Sequence, residues 1–348
     1  MADLPPATLR LTIDREALAA NWRALADMSG NASTGAAVKA NAYGIGIDAA
    51  VPALRDAGCE QFYVAHWQEV PALLPHVEAE QIAVLHGVVN PEEAAFAKSC
   101  GAIPVINSAK QAAIWNAAGG GPCHLMLDTG INRLGAPMED LSDPAIAALD
   151  IDILMSHLAS ADEDNALNKM QLDRFRSAAH SITHKRASLA NSAGIALGAD
   201  YHCDHTRPGL SLYGGIPREE LDGIIRQVAY PEAAILQRRT VRKGESVGYN
   251  GLFTAESDTE IATVSIGYAD GFLRNRGFDC ALYDGDNNLP VIGRVSMDMI
   301  AVDCSTNPSL QEGDFLQIPY DLPQVSQASG FSQYELLTTL GNRFQVNY

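Results

Sequence analysis

The stretch Pro91–Leu127, PEEAAFAKSCGAIPVINSAKQAAIWNAAGGGPCHLML, decides the fold. It opens with an alanine-rich run, Pro91–Cys100, followed by a short apolar run, Ile103–Ile106. A second alanine-rich run, Ala109–Ala118, leads into a second apolar run, Cys123–Leu127. The longer runs have the length of helices. The shorter ones have the length and continuous apolarity of strands buried on both faces. Helix and strand in strict alternation imply parallel strands joined by helical crossovers.

The rhythm continues outward in both directions. Apolar or β-branched runs recur at Ala36–Ala40, Gln61–Ala65 and Ile82–His86, and again at Ile153–His157, Ala187–Ala190 and Arg207–Tyr213. Ahead of them stand an opening strand near Ala7–Ile13 and a helix to about Met28 that Asp14 can cap. Eight strands alternating with helices over about 200 residues predict a parallel (β/α)8 TIM barrel for residues 1–226. An open doubly wound sheet stays as the alternative, because alternation alone does not define closure. Past Arg226 helical runs almost vanish. Strand-like runs follow at Ala233–Val241, Glu260–Ile266, Cys280–Asp284, Pro290–Val295, Met299–Asp303 and Asp314–Ile318, punctuated by glycines. Residues 227–348 therefore read as a mostly-β C-terminal domain closed by one helix near Ser332–Leu340.

Composition excludes several functions. The chain has 348 residues, 47% of them hydrophobic, which is enough to bury a large core and rules out a disordered tail. It carries 24 Lys+Arg against 42 Asp+Glu, a net charge of −18, so no basic surplus exists to neutralise nucleic-acid phosphates. The six cysteines, Cys59, Cys100, Cys123, Cys203, Cys280 and Cys304, form no CxxC pair and read as reduced thiols of a cytoplasmic protein. No signal peptide and no membrane-length apolar run is visible. His202-Cys203-Asp204-His205 imitates a metal cluster, but no second cluster completes it, and no metal is expected.

In a barrel of this kind chemistry sits at the C-terminal strand ends. Lys39 ends the first strand, Asp128 and Arg133 follow the fifth, His157 ends the sixth, Ser192 follows the seventh and Arg207 opens the eighth. Lys39 emerges from the apolar run Ala36-Ala37-Val38. Desolvation there lowers an amine's pKa and frees it to form a Schiff base. Asn41, Tyr43, Gly44 and Gly46 then make a loop whose hydroxyl and backbone N–H groups suit a phosphate.

The segment Ala37-Val38-Lys39-Ala40-Asn41-Ala42-Tyr43-Gly44 resembles the pyridoxal-phosphate attachment site of alanine racemases. Leu127-Asp128-Thr129-Gly130-Ile131-Asn132-Arg133-Leu134-Gly135 resembles that family's substrate-arginine loop, and Ile266-Gly267-Tyr268-Ala269-Asp270-Gly271 its catalytic-tyrosine motif. Val291-Ile292-Gly293-Arg294-Val295-Ser296-Met297-Asp298 resembles a fourth family segment. The resemblance implies a fold-type III pyridoxal-phosphate racemase that works as a homodimer, each site shared between one barrel and the partner's β-domain. It implies two bases on opposite faces of the substrate, Lys39 and Tyr268, with His157 beside the tyrosine. It further implies Arg207 as partner to the pyridine nitrogen, and Tyr43, Ser192, Gly209 and Leu210 as the phosphate cradle. Arg133 and the Met297 backbone would meet the substrate carboxylate, with Asp298 beside them in the substrate site at the subunit junction. The expected activity is interconversion of L- and D-alanine, supplying D-alanine for peptidoglycan.

Four positions depart from the family pattern. Met126 stands where a lysine, often carbamylated, usually supports the substrate arginine, and Ser188 replaces a histidine near Arg207. Ile45 lies where a histidine is frequent, and Asn342 replaces a tyrosine before Arg343. The alternatives are a broader-specificity alanine/serine racemase, whose secreted forms carry a signal peptide and a disulfide, and a non-enzymatic pyridoxal-phosphate carrier, which lacks a β-domain. Because Asn342 exchanges a ring for an amide, the pocket should accept serine more readily than a strict alanine racemase. Comparing D/L interconversion rates of the two amino acids tests this, and an undetectable serine rate refutes it.

Overall fold

The structure, a computed structural model, describes residues 5–277 and 279–348. The first residues of the N-terminal stretch, Met1–Leu4, lie outside them. The chain forms two units, Glu16–Arg226 and Met1–Arg15 with Gln227–Tyr348. The opening strand, β1 (Leu9–Ile13), therefore stands apart from the barrel with which residues 1–226 were grouped. It pairs antiparallel with the long strand that begins the C-terminal half, Leu9 opposite Ala233 and Ile13 opposite Ala229. Leu9, Leu11 and Ile13 are buried and alternate with more exposed Arg10 and Thr12, the pattern of a strand with one face in a core.

The unit Glu16–Arg226 is the predicted parallel barrel. Its strands are β2 (Ser33–Thr34), β3 (Ala36–Ala37), β4 (Phe62–Val64), β5 (Ile82–Val84), β6 (Ile103–Ile106), β7 (Pro122–Met126), β8 (Asp150–Met155), β9 (Arg186–Ser188) and β10 (His205–Thr206). They pair in sequence from β3 to β10, and β10 pairs with β2. β2 and β3 are two halves of one strand divided at Gly35. The first half pairs with His205–Thr206 and the second with Phe62–Tyr63. Gly35 donates its N–H to Thr206 O at 2.9 Å, and Ala36 donates to Gln61 O at 2.9 Å. Neighbouring residues thus bond in opposite directions, and the sheet closes, which excludes the open doubly wound alternative.

One sequence boundary moves. Arg207–Tyr213 was expected to be the eighth strand, opened by Arg207. The strand is His205–Thr206, and Arg207 follows it. Pro208 has no N–H to give a ladder, and Leu210–Tyr213 coils into a short 3₁₀ turn.

The other unit is an eight-stranded, mainly antiparallel sheet. Beside β1 it contains β11 (Ala229–Val241), β14 (Thr259–Val264), β15 (Ala281–Asp284), β16 (Asn287–Ile292), β17 (Ile300–Asp303), β18 (Phe315–Gln317) and β19 (Gln345–Asn347). The hairpin of β12 (Ser246–Val247) and β13 (Phe253–Thr254) stands separately. β14 pairs with both β11 and β17, which folds the sheet back on itself. Two features escaped the sequence reading. A helix, Leu322–Ser329, precedes the closing helix Gln333–Thr338, and the terminal strand β19 pairs parallel to β1.

Gly35 is a glycine for reasons of space. A Cβ there would stand 2.9 Å from Gln61 O, from His205 Nε2 and from Tyr63 Cε2. His205 Nε2 is already bonded to Tyr63 Oη at 2.8 Å, and its Nδ1 to Ser33 Oγ at 2.8 Å, so the ring cannot step aside. Gly35→Ala should destabilise the protein by about 1–3 kcal/mol, measured by denaturant unfolding. Wild-type stability would show that the seam is looser than these distances imply.

Candidate active site

Val38 donates its N–H to Tyr63 O at 2.9 Å, which keeps the first strand in register up to the residue before Lys39. The backbone then enters the left-handed region for four successive non-glycine residues: Ala40 (φ 53°), Asn41 (φ 54°), Ala42 (φ 53°) and Tyr43 (φ 55°). Each costs about 1–2 kcal/mol. The turn is held by Ala42 N–H on Val38 O (2.9 Å), Gly44 N–H on Ala40 O (3.0 Å) and Ile47 N–H on Asn41 Oδ1 (3.1 Å). Glu69 holds its first residue from outside, accepting the Ala40 N–H at 2.5 Å. Burial lowers the Lys39 pKa, and the positive charge of Arg133 lowers it further, while Glu69 opposes both. The amine is thereby held toward its neutral, nucleophilic form.

The turn ends at a polar cradle. The Tyr43 ring stacks on Tyr213, centroids 4.7 Å apart, and the Tyr213 hydroxyl donates to Ala37 O at 2.7 Å. The Tyr43 hydroxyl lies so close to Gly209 that a Cβ on that glycine would come within 2.4 Å of it. Ser192 Oγ accepts from Gly209 N–H at 2.9 Å and from Ser211 N–H at 3.2 Å. Of the two backbone groups that the resemblance gave to a phosphate, Gly209 is thus engaged by Ser192. Leu210 N–H donates to no group among the described residues. Ser211 Oγ is buried without a partner. Orphaned donors beside a glycine that admits no side chain fit a bound phosphate.

Arg207 is buried and has no carboxylate partner among the described residues. It donates to Ser188 Oγ and, at 2.6 Å, to Ser156 O. Ser188 in turn donates to His205 O at 2.5 Å. Ser188, in the histidine's place, thus supplies Arg207 with a hydrogen-bond acceptor. An uncompensated guanidinium suits the electron-rich nitrogen of a pyridine ring and cannot protonate it. Its charge also reaches His157. Burial first, then Arg207, Arg133 and Lys39, push the imidazole down to about 3. His157 is therefore neutral at physiological pH.

The substrate-arginine loop needs no carbamylated lysine to hold its shape. Ala136 donates to Met126 O at 2.8 Å, and Asp128 N–H donates to Ala136 O at 3.0 Å, which ties the loop's neck. Gly135 (φ 136°) is required there, since a Cβ would stand 2.7 Å from Asp128 N. Asp128 Oδ1 caps the turn, accepting from Gly130 N–H (2.9 Å) and Asn132 N–H (3.1 Å). Met126 is buried, and Arg133 stands exposed on the loop. Behind it, fully buried Gln171 joins two strand ends. Its amide donates to Thr129 Oγ1 (3.2 Å) and His157 O (3.0 Å) and accepts from Ala159 N–H (2.8 Å).

In the β-unit the two remaining motifs come together. Tyr268 N–H donates to Ser296 O, and Ala269 N–H to Met297 O, each at 3.1 Å. Gly267 fits between them, since a Cβ there would stand 2.3 Å from Met297 O. Asp270 is buried and accepts from Gly267 N–H at 3.0 Å. Arg343 clamps the pair, donating to both Asp270 oxygens (2.7 and 2.8 Å) and to Asp298 Oδ1 (2.7 Å). Asp298 is thus an anchor for Arg343, and Met297 stands exposed. The Arg274 guanidinium lies 5.2 Å from the Tyr268 ring centroid. Glu69, Gln171 and Arg274 were not singled out in the sequence. An isolated acid, amide or arginine between two elements carries no local signal, and its role exists only through its partners.

His202 Nε2 bonds Ile195 O, whereas His205 bonds Ser33 and Tyr63, so the apparent metal cluster is dispersed. Among the described residues no group of three or more His, Cys, Asp or Glu is placed to hold a metal ion.

The profile "Alanine racemase, N-terminal domain" matches residues 13–217, and "Alanine racemase, C-terminal domain" matches residues 228–348. Alanine racemase of Rhizobium meliloti is 40% identical, covering 98% of this chain and 97% of its own. The catabolic alanine racemase of Agrobacterium fabrum is also 40% identical, over 97% of this chain and 91% of its own. Among solved structures, alanine racemase from Bartonella henselae with covalently bound pyridoxal phosphate superposes with a TM-score of 0.91 at 34% identity, covering 99% of this chain and all of its own. The biosynthetic enzyme from Pseudomonas aeruginosa gives 0.87 at 33% identity, covering 99% of each chain.

The state of His157 is directly measurable. Its imidazole ¹⁵N shifts should remain those of a neutral ring at pH 5. Because the folded-state pKa is depressed, the unfolded chain takes up a proton that the folded ring refuses. Stability contributed by the neutral ring is therefore lost as pH falls from the ordinary histidine value toward 3. A ring that titrates near 6.5 would contradict the assignment.

Proposed function

The chain belongs to the alanine racemase family; it is a pyridoxal-phosphate-dependent amino-acid racemase acting on alanine, and we propose that it moves the substrate's Cα proton with two bases, Lys39 and Tyr268. The observation that carries this reading is Lys39 itself: an amine held toward neutrality at the mouth of the barrel, one turn away from a cradle with unpaired donors.

When bound, the cofactor supplies the conjugated ring that acidifies the Cα–H bond. The protein does the rest. Lys39 would hold the cofactor through its carbonyl carbon, and its amine, when free, would hold a proton on one face of the substrate. Tyr268 holds a proton on the other face, because a single base cannot reach both. Neutral His157 accepts or donates a hydrogen bond toward the phenol. Arg207 keeps its proton and so leaves the pyridine nitrogen unprotonated, which limits side reactions. Tyr43, Ser192 and the Leu210 N–H receive the phosphate, while Gly209 contributes by admitting it closely. Arg133 draws in the substrate carboxylate.

In this reading Lys39 and Tyr268 meet across a homodimer, each site taking its lysine from one copy and its tyrosine from the other. The exposed Met297 and Met299 beside the tyrosine motif suit such a contact. We place the enzyme in the cytoplasm, consistent with six unpaired cysteines, and its product D-alanine in peptidoglycan precursors. Among the described residues no helix is long and apolar enough to cross a membrane.

Both proposals are tested with two variants. Lys39→Ala and Tyr268→Phe should each lose about 100-fold or more in kcat. With Tyr268→Phe, solvent exchange of the Cα proton should persist for one alanine enantiomer only. Mixing the two inactive variants under subunit exchange should restore about a quarter of wild-type activity, because half the dimers then hold one intact site. No recovery would refute the shared site.

A further inference from the structure

Glu69 does more than start its own short helix. Its carboxylate accepts from His66 N–H at 3.0 Å and from Ala65 N–H at 2.7 Å, which is ordinary capping of the turn Trp67–Glu69. The other oxygen accepts from Ala40 N–H at 2.5 Å, 29 residues back in the chain. That N–H belongs to the residue directly after Lys39, the first of the four left-handed residues. Capping needs no such contact. One side chain thereby spans the ends of two neighbouring strands and grips the turn where its departure from ordinary geometry begins.

We propose that Glu69 is a positioning residue for Lys39: by tying the Ala40 N–H to the Ala65 and His66 N–H groups, it fixes where the lysine amine stands, and it sets a negative charge beside that amine. This rests on the reading of Lys39 as the reactive amine. A carboxylate suits the task because it only accepts hydrogen bonds, and all three groups facing it are donors. Charge-assisted bonds of this kind are also the stronger ones. The charged surroundings of Lys39 are otherwise basic. Arg133 comes from the loop after β7, and neutral His157 follows β8. His86 follows β5, its ring 4.2 Å from that of His66 in an edge-to-face contact, and its own pKa is lowered by burial and by both His66 and Lys39. Among the described residues, Glu69 is the carboxylate whose charge acts on Lys39.

The test is the pH dependence with which borohydride fixes added pyridoxal phosphate to the full-length protein, with the modified residue identified by peptide mass. Wild type, Glu69→Gln and Glu69→Ala are compared. In Glu69→Ala the inflection should move to lower pH, because a negative charge that favoured the protonated amine is gone. The high-pH plateau rate should fall about tenfold, because the amine is no longer held in place. In Glu69→Gln the inflection should move equally, while the plateau lies between the other two, since one amide oxygen still accepts from one side. If Glu69→Ala does not fold, Glu69→Gln carries the test through both readouts. Fixation on Lys39 with wild-type inflection and plateau in the variants overturns the role of Glu69. Fixation on a residue other than Lys39 in the wild type overturns the reading of the lysine instead.

Discussion

The barrel depends on one strand serving two neighbours. Residues on either side of Gly35 turn their hydrogen bonds to opposite partners, β10 on one side and β4 on the other. Only a residue without a side chain fits there, because a carbonyl and two rings crowd the position. Closure at this seam turns a row of parallel strands into a ring. It gathers Lys39, Arg133, His157, Ser192 and Arg207 at the strands' C-terminal mouth, although 168 positions separate Lys39 from Arg207 in sequence. Lys39 itself lies four residues beyond the seam, so closure and chemistry share one strand.

Within that mouth, electrostatics decides protonation states. The protein as a whole is strongly acidic, yet its site concentrates basic side chains: Lys39, Arg133 and Arg207. Among the described residues Arg207 is buried without a carboxylate, an arrangement that is costly unless something electron-rich completes it. The consequence spreads to its neighbours, since His157 is driven neutral and Lys39 toward neutrality. Such local cations would attract a carboxylate or phosphate group despite the acidic exterior. The β-unit solves a different problem. There Arg343 spans Asp270 and Asp298, and so fixes the tyrosine loop against the methionine loop.

The sequence carried the strand rhythm well where the elements were long or continuously apolar. Ile103–Ile106 matches its strand at both ends. It misled where one residue overrode the pattern. Pro208 stopped the last barrel strand at Thr206, although the apolar run continues to Tyr213. It also misplaced β1, because an alternating strand shows that one face is buried without showing against what. Met126 and Ser188 each stand where the family pattern has a different residue. At Met126 the loop is tied through backbone groups that any residue supplies, and at Ser188 a hydroxyl serves as the arginine's acceptor.

The sequence by itself determined the two-part architecture, the residue types of the site and their family, because periodicity and four ordered motifs are local properties of the chain. Only the tertiary structure decided which groups are charged and what holds them. Burial and the proximity of cations from other strands set the states of His157 and Lys39. The contacts of Glu69, Gln171 and Arg343 join residues 29, 42 and 73 positions apart, distances over which sequence spacing carries no geometry until the chain has folded.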